Sequence, residues 1–202
     1  MKKLIFVLSS ILILLLSTLN ANAQAFAGKG SKYFTVGLGV SQYFNFGGYY
    51  DNYYSHGYYY GYGISRFGYF RPTLVAHANL EFGIHKYIGI APCVGVGASF
   101  YGGSNISLDI PIGAQANFHF LQLIGDKTGK SFADKLDVYA GVNAGGGPSF
   151  GFYGNGLEMS GFFYVGPQVG VRYYPKSNIG ISAELGYGKT IANVAMVMKL
   201  GQ

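Results

Sequence analysis

Side chains able to do acid–base, nucleophilic or metal chemistry are sparse in this 202-residue sequence, which holds eight Asp/Glu, four His and one Cys. His77, Asn79, Glu81 and His85 stand two or four residues apart, a spacing that puts all four on one face of an extended strand. Neighbours two apart on a strand lie about 6.6 Å from each other, so a metal ion would need ligands from a second strand. No second cluster of ligand types is visible, and neither a metal nor any other cofactor is expected. Cys93, among Ala91, Gly95 and Gly97, reads as a small interior filler. Ser55-His56 is the one adjacent Ser/His pair, and it has no orienting acid nearby apart from Asp51. No enzymatic activity is expected. The remaining chemistry is ionic and hydrogen-bonding, and its meaning depends on the elements that hold it.

Those elements alternate with period two. From Ile106 to Phe120 the even positions are apolar, and the odd ones are Ser107, Asp109, Pro111, Gly113, Gln115, Asn117 and His119. The same alternation runs from Thr73 to His85 and from Ile179 to Gly188. Successive side chains on a strand point to opposite faces, so each segment has one apolar and one small or polar face. Eight such segments are predicted, at about 32–46, 72–85, 87–101, 106–120, 136–147, 161–174, 178–188 and 190–200. No sustained helical period is visible between them.

The faces that are not apolar decide what solvent the sheet meets. In the three segments above they carry Glu81, Asp109 and Glu184 as their only carboxylates, with Gly and neutral polar residues between. Over the whole chain 50% of residues are hydrophobic and 11% charged, against about 25% charged in ordinary soluble domains. A sheet with water on one side would carry more Lys, Glu and Arg. Small polar residues suit the crowded interior of a narrow closed barrel whose apolar face meets lipid, and closure removes edges that hydrocarbon could not tolerate. The predicted fold is all-β, an eight-stranded antiparallel up-and-down transmembrane β-barrel over 24–202. Residues 1–23 read as a cleaved signal peptide, with Met1-Lys2-Lys3, an apolar run from Leu4, and Ala21-Asn22-Ala23 as the cleavage site. Its removal lowers the formal charge from +6 by two lysines. No Lys/Arg cluster suggests nucleic acid.

The alternation places Glu81, His85, Asp109, His119, Arg172, Glu184 and Lys199 in or at the rim of the lumen, where isolated charges would be costly. They are expected to pair into a structural network that fills the bore. The functional alternative is a narrow or gated pathway for small polar solutes. Lys29, Lys32, Lys86, Lys127, Lys130, Lys135, Arg172, Lys176 and Lys199 map to the periplasmic side or lower strand ends, while Arg66, Arg71 and Lys189 map to the top. Phe44, Phe46, Phe118, Phe120, Phe163 and Tyr173 fall where interfacial aromatics would sit. The connection at 121–135 is long for a periplasmic turn.

Signal peptide, eight alternating segments and Gly/aromatic texture together resemble the small outer-membrane β-barrel proteins of the OmpA-transmembrane and OmpX class. The Tyr-rich, Trp-free style is similar to outer-membrane β-barrel-domain proteins of Bacteroidetes type. Barrels of that class often end on an aromatic residue, and this chain departs from the pattern with Lys199-Leu200-Gly201-Gln202. The resemblance implies outer-membrane localisation and contact with membrane lipid and lipopolysaccharide. Some members modify lipid A, using a serine and a histidine on the lipid-facing surface; here no His-x-Ser spacing occurs. The segment 47–71 is read as an extracellular loop, with Tyr49, Tyr50, Tyr53, Tyr54, Tyr58, Tyr59, Tyr60 and Tyr62 among six Gly. Tyr gives amphipathic contact area at low entropy cost, so this loop is the candidate surface for an extracellular protein or glycan. A monomer with a structural or surface-interaction role is expected.

Overall fold

The computed structural model describes residues 25–46, 73–101, 105–128, 135–153, 156–176 and 178–201. Its strands are β1 (Lys32–Ser41), β2 (Phe44–Phe46), β3 (Thr73–His85), β4 (Ile88–Tyr101), β5 (Asn105–Asp109), β6 (Ile112–His119), β7 (Leu136–Tyr153), β8 (Gly156–Tyr173), β9 (Ile179–Gly186) and β10 (Ala192–Gly201), with one helix, α1 (Phe120–Thr128). The segments 1–24 and 47–72, holding the predicted signal peptide and the Tyr-rich loop, lie outside the described residues.

Every strand pairing is antiparallel, and the sheet closes on itself because β1 pairs with β3 on one edge and β10 on the other. β5 and β6 share one position between β4 and β7, so the ring has eight strand positions in up-and-down order. The alternation sets the faces. In β3, Thr73, Val75, His77, Asn79, Glu81 and Gly83 are buried inside, while Leu74, Phe82 and Ile84 are exposed outside. In β8, Phe162, Tyr164, Gln168 and Arg172 turn inward, with Val165, Val169 and Val171 outward. The molecule is thus inverted relative to a water-soluble sheet: polar side chains fill its centre and large apolar ones cover its surface.

Four departures from the predicted elements are seen. The segment 106–120 is two strands separated at Ile110 and Pro111, where Ile110 N donates to Pro148 O and Gly95 N donates to Pro111 O. The segment 32–46 also divides. After Ser41 the chain turns inward, seats the Tyr43 ring on Phe162 with centroids 4.3 Å apart, and pairs β2 with the edge of β8 beyond the end of β9. The β7–β8 hairpin runs further than predicted, with Leu136 to Tyr153 matched against Tyr173 to Gly156. Last, the long connection after β6 contains α1, where no helical period was foreseen. It buries Gln122 and Gly125, bonds Gln122 to Asp126 four residues on at 3.0 Å, and carries Lys127 in its last turn, where the helix dipole favours a cation.

At the end of the ring where β1 begins, the chain ahead of it folds inward. Ala25 and Phe26 are buried with Tyr33, Tyr174 and Val197, and Gly30 N and Ser31 O both bond to Gly83. Among the described residues no helix is long and apolar enough to cross a membrane.

Candidate functional site

The polar chemistry of the chain converges inside the ring. Glu81 enters from β3 in register with Tyr33 of β1. Facing it on β4 is Gly89, where a Cβ would run into the Glu81 carboxylate. Asn117 and His119 come from β6, Asp137 and Tyr139 from β7, and Arg172 from β8, all buried. Arg172 Nη2 donates to Glu81 Oε2, and its Nη1 lies 3.7 Å from Asp137 Oδ2. His119 stands between the same two carboxylates, with Nε2 2.9 Å from Glu81 Oε1 and Nδ1 2.9 Å from Asp137 Oδ2. Both contacts are hydrogen bonds when each ring nitrogen carries a proton. Two carboxylates then face two cations, and the group balances its charge within itself.

Aromatic faces close around this cluster. Phe26 stacks on the His119 ring at 3.5 Å between centroids and 7° between planes. The Arg172 guanidinium lies 4.5 Å from the centre of the Tyr139 ring and 5.7 Å from that of Tyr33, an arrangement that favours a desolvated cation.

A ladder of amides climbs from the cluster. Asn117 Nδ2 donates to Glu81 Oε1 at 3.1 Å, Gln168 Nε2 to Asn117 Oδ1 at 2.8 Å, and Asn143 Nδ2 to Gln168 Oε1 at 3.0 Å. It ends at Lys189, whose backbone N donates to Asn143 Oδ1 at 2.7 Å. The Lys189 ammonium bonds to Glu184 Oε2 at 3.0 Å and Gln115 Oε1 at 2.8 Å. Glu184 also accepts from Tyr139 at 2.5 Å and Asn193 at 2.7 Å. Higher still, Ser149 donates to Asp109 at 2.5 Å, and Tyr43, Phe162 and Tyr164 pack with Val75. Cys93 is buried, with Sγ 3.6 Å from Tyr164 Oη.

Glu81, His119 and Arg172 therefore meet directly, and Glu184 anchors a second ionic group. Asp109 lies inside but apart, on β5. Lys199 is buried with its ammonium 4.2 Å from the Tyr174 ring centre. His85 does not join the network. A register shift between Gly83 and His85 turns it out to solvent, where Nδ1 accepts from Tyr87 N at 3.3 Å. Lys189, mapped to the top from its turn, instead folds into the lumen; Gly188 beside it holds φ at 101°, in the region that favours glycine. Asp137 is the partner that sequence reasoning missed, although it occupies an inward phase of a predicted strand. Tyr49, Tyr50, Tyr53, Tyr54, Tyr58, Tyr59, Tyr60 and Tyr62 fall outside the described residues. Among the described residues no group of three or more His, Cys, Asp and Glu is placed to hold a metal ion.

The tight seat of Glu81 has a measurable consequence. Gly89→Ala should cost about 1–3 kcal/mol in urea unfolding, as overpacking does. Gly161→Ala, whose new methyl would meet nothing nearer than Gly147 O at 3.9 Å, should change stability by less than about 0.5 kcal/mol.

No family model matches the chain, and no curated protein does. Solved structures do resemble it. Ail, the attachment invasion locus protein of Yersinia pestis, is 13% identical, with 85% of this chain and 95% of that one covered and a TM-score of 0.43. The N-terminal β-barrel domain of Pseudomonas aeruginosa OprF is 10% identical over 84% of this chain and 98% of that one, with a TM-score of 0.49. Neisserial surface protein A is 12% identical over 84% and 92% respectively, with a TM-score of 0.47.

Proposed function

We propose that this chain is an integral outer-membrane protein that spans the bilayer as a closed, filled barrel and serves a structural or surface-interaction role. One observation carries the reading. Val36, Leu38, Leu74, Val94, Val96, Ile112, Val142, Val165, Val169, Ile181, Leu185 and Val194 stand exposed around the outside, while the ionic groups are buried within. Soluble monomers rarely expose a contiguous apolar patch beyond a few hundred Å², and here the apolar surface runs round the ring. Backbone closure complements it, since a sheet without edges satisfies its own N–H and C=O groups in hydrocarbon.

Orientation follows from the longest connection. Between β2 and β3 stand residues 47–72, at the end opposite the start of β1, and long connections suit the outer side of such barrels. The Tyr-rich segment then belongs to the outer side, where a protein or glycan could be met. Deleting 48–64 and measuring adhesion tests that role; a deletion that assembles normally and adheres as before removes it.

The bore is read as closed because side chains cross it: the Glu81–Arg172–Asp137–His119 group below, the Glu184–Lys189 pair in the middle, and the Tyr43, Phe162, Tyr164 stack above. Purified protein in planar bilayers should give no large, steady conductance. Membrane-fractionated protein should migrate differently on a denaturing gel with and without boiling. Steady large currents would favour the solute pathway, and a soluble fraction with no heat-dependent shift would overturn the membrane assignment.

A further inference from the structure

Among the described residues, exposed charge gathers at one end. Lys32 opens β1 and Lys29 precedes it in the inward-folded arm; Lys86 is in the β3–β4 turn, Lys127 in the last turn of α1, Lys135 just ahead of β7, and Lys176 in the β8–β9 turn. The antiparallel order brings all six to the same rim, and all six are exposed. Asp126 is the exposed acid there among the described residues, and it engages Lys86 at 3.1 Å; that bond holds the Lys86 ammonium above its ordinary pKa range. Among the described residues no acid faces Lys29, Lys32, Lys127, Lys135 or Lys176 in an ion pair. Toward the opposite end Asp109 and Lys189 both turn into the lumen.

The rim borders the apolar surface directly. Ile84, Phe118, Ile124 and Tyr173 are exposed beside it, and the Lys86 ammonium lies 5.5 Å from the Tyr87 ring centre. Moving toward this end along the outside of the ring, one passes from aliphatic side chains to aromatic ones to ammonium groups. That order matches a bilayer leaflet from hydrocarbon through interface to headgroup phosphate. The lysines are spread over different elements around the circumference and do not converge on a point, so they suit a continuous sheet of anions better than one small ion.

We propose that this lysine rim is a binding surface for anionic phospholipid headgroups, so that the protein gathers negatively charged lipid around one end. The proposal rests on the membrane-spanning reading. A lysine near an anionic surface contributes about fivefold in partitioning, and screening removes the effect when the Debye length shrinks to about 3 Å in 1 M salt.

The test uses the refolded chain in phosphatidylcholine vesicles containing trace spin-labelled phosphatidylglycerol or phosphatidylcholine. The motionally restricted fraction of each label reports the lipid shell, and the heat-dependent gel shift reports folding. At low salt the shell should favour phosphatidylglycerol about two- to fivefold. High salt should bring the ratio toward one, as should replacing Lys29, Lys32, Lys127, Lys135 and Lys176 with Gln. Equal shells for the two labels in folded parent protein would overturn the proposal, and so would a preference that survives the five replacements. If those replacements prevent folding, the salt titration on the parent decides alone. A chain that shows neither restricted lipid nor a gel shift would instead sink the membrane reading beneath it.

Discussion

A Glu81→Leu chain should lose about 3–5 kcal/mol of unfolding free energy, because the change leaves a buried cation without its main partner. In the parent, Arg172 donates to Glu81 and is 3.7 Å from Asp137, while His119 bridges both acids. Without Glu81 the cluster sets Arg172, and His119 when it is protonated, against the Asp137 carboxylate alone, in a buried site. Restoring the balance should restore stability. Glu81→Leu combined with Arg172→Met leaves Asp137 facing His119, and places a thioether between the Tyr139 and Tyr33 rings, which favour sulfur contacts. The double variant should recover most of the loss, since a buried ion pair replaced as a unit is often neutral. Urea unfolding of the four proteins of this cycle measures the coupling. A single variant that loses under about 1 kcal/mol would show that the cluster does not hold the barrel together.

A charge on the outer wall should be nearly as damaging, and more diagnostic. Val142 is 61% exposed at mid-strand in β7, in register with Ala116 of β6 and Pro167 of β8. If water lay outside, Val142→Arg would change stability by no more than about 0.5 kcal/mol. Facing the middle of a bilayer it should cost about 2–4 kcal/mol, whereas an arginine near the interface costs about 0–1. Tyr173→Arg, at the lysine end, is the paired control. Folding into lipid vesicles at graded urea reads both. Equal, small effects at the two positions would remove the lipid-facing assignment.

The two readouts probe features that differed in how far the residues alone disclosed them. Which face each strand turns inward was legible, because alternation is a local property: Glu81, His119, Arg172 and Glu184 are inside as their phase requires. Which of them touch was not, since contact across a lumen joins strands far apart in the chain. Asp137 illustrates this. Its phase points inward, yet nothing local indicates that it will share His119 and Arg172 with Glu81. Positions at strand ends were the least readable. His85 follows a register shift, and Lys189 sits in a turn whose direction is set by Gly188 and by the carboxylate of Glu184. In both, tertiary contacts override the period-two rule. The break at Pro111 was not readable from the proline alone, since Pro92, Pro148 and Pro167 stand inside continuous strands.

Ring closure also sets an order of events. The β7–β8 pair matches residues that are near neighbours in the chain, from Tyr153 against Gly156 outward, over eighteen residues on each side. It can zip locally, at small entropic cost. The β1–β10 seam, by contrast, joins Val40 to Ala192 and Lys32 to Gly201, across nearly the whole described chain. Contacts of such long separation are slow to form, because the intervening loop must be closed before they give anything back. A nascent chain halted before Ala192 would already possess seven strand positions and most of its polar interior. It would also present two bare edges, on β1 and β9, to every other unfinished copy. The final strand is therefore the step that separates a self-contained wall from a template for strand exchange between molecules.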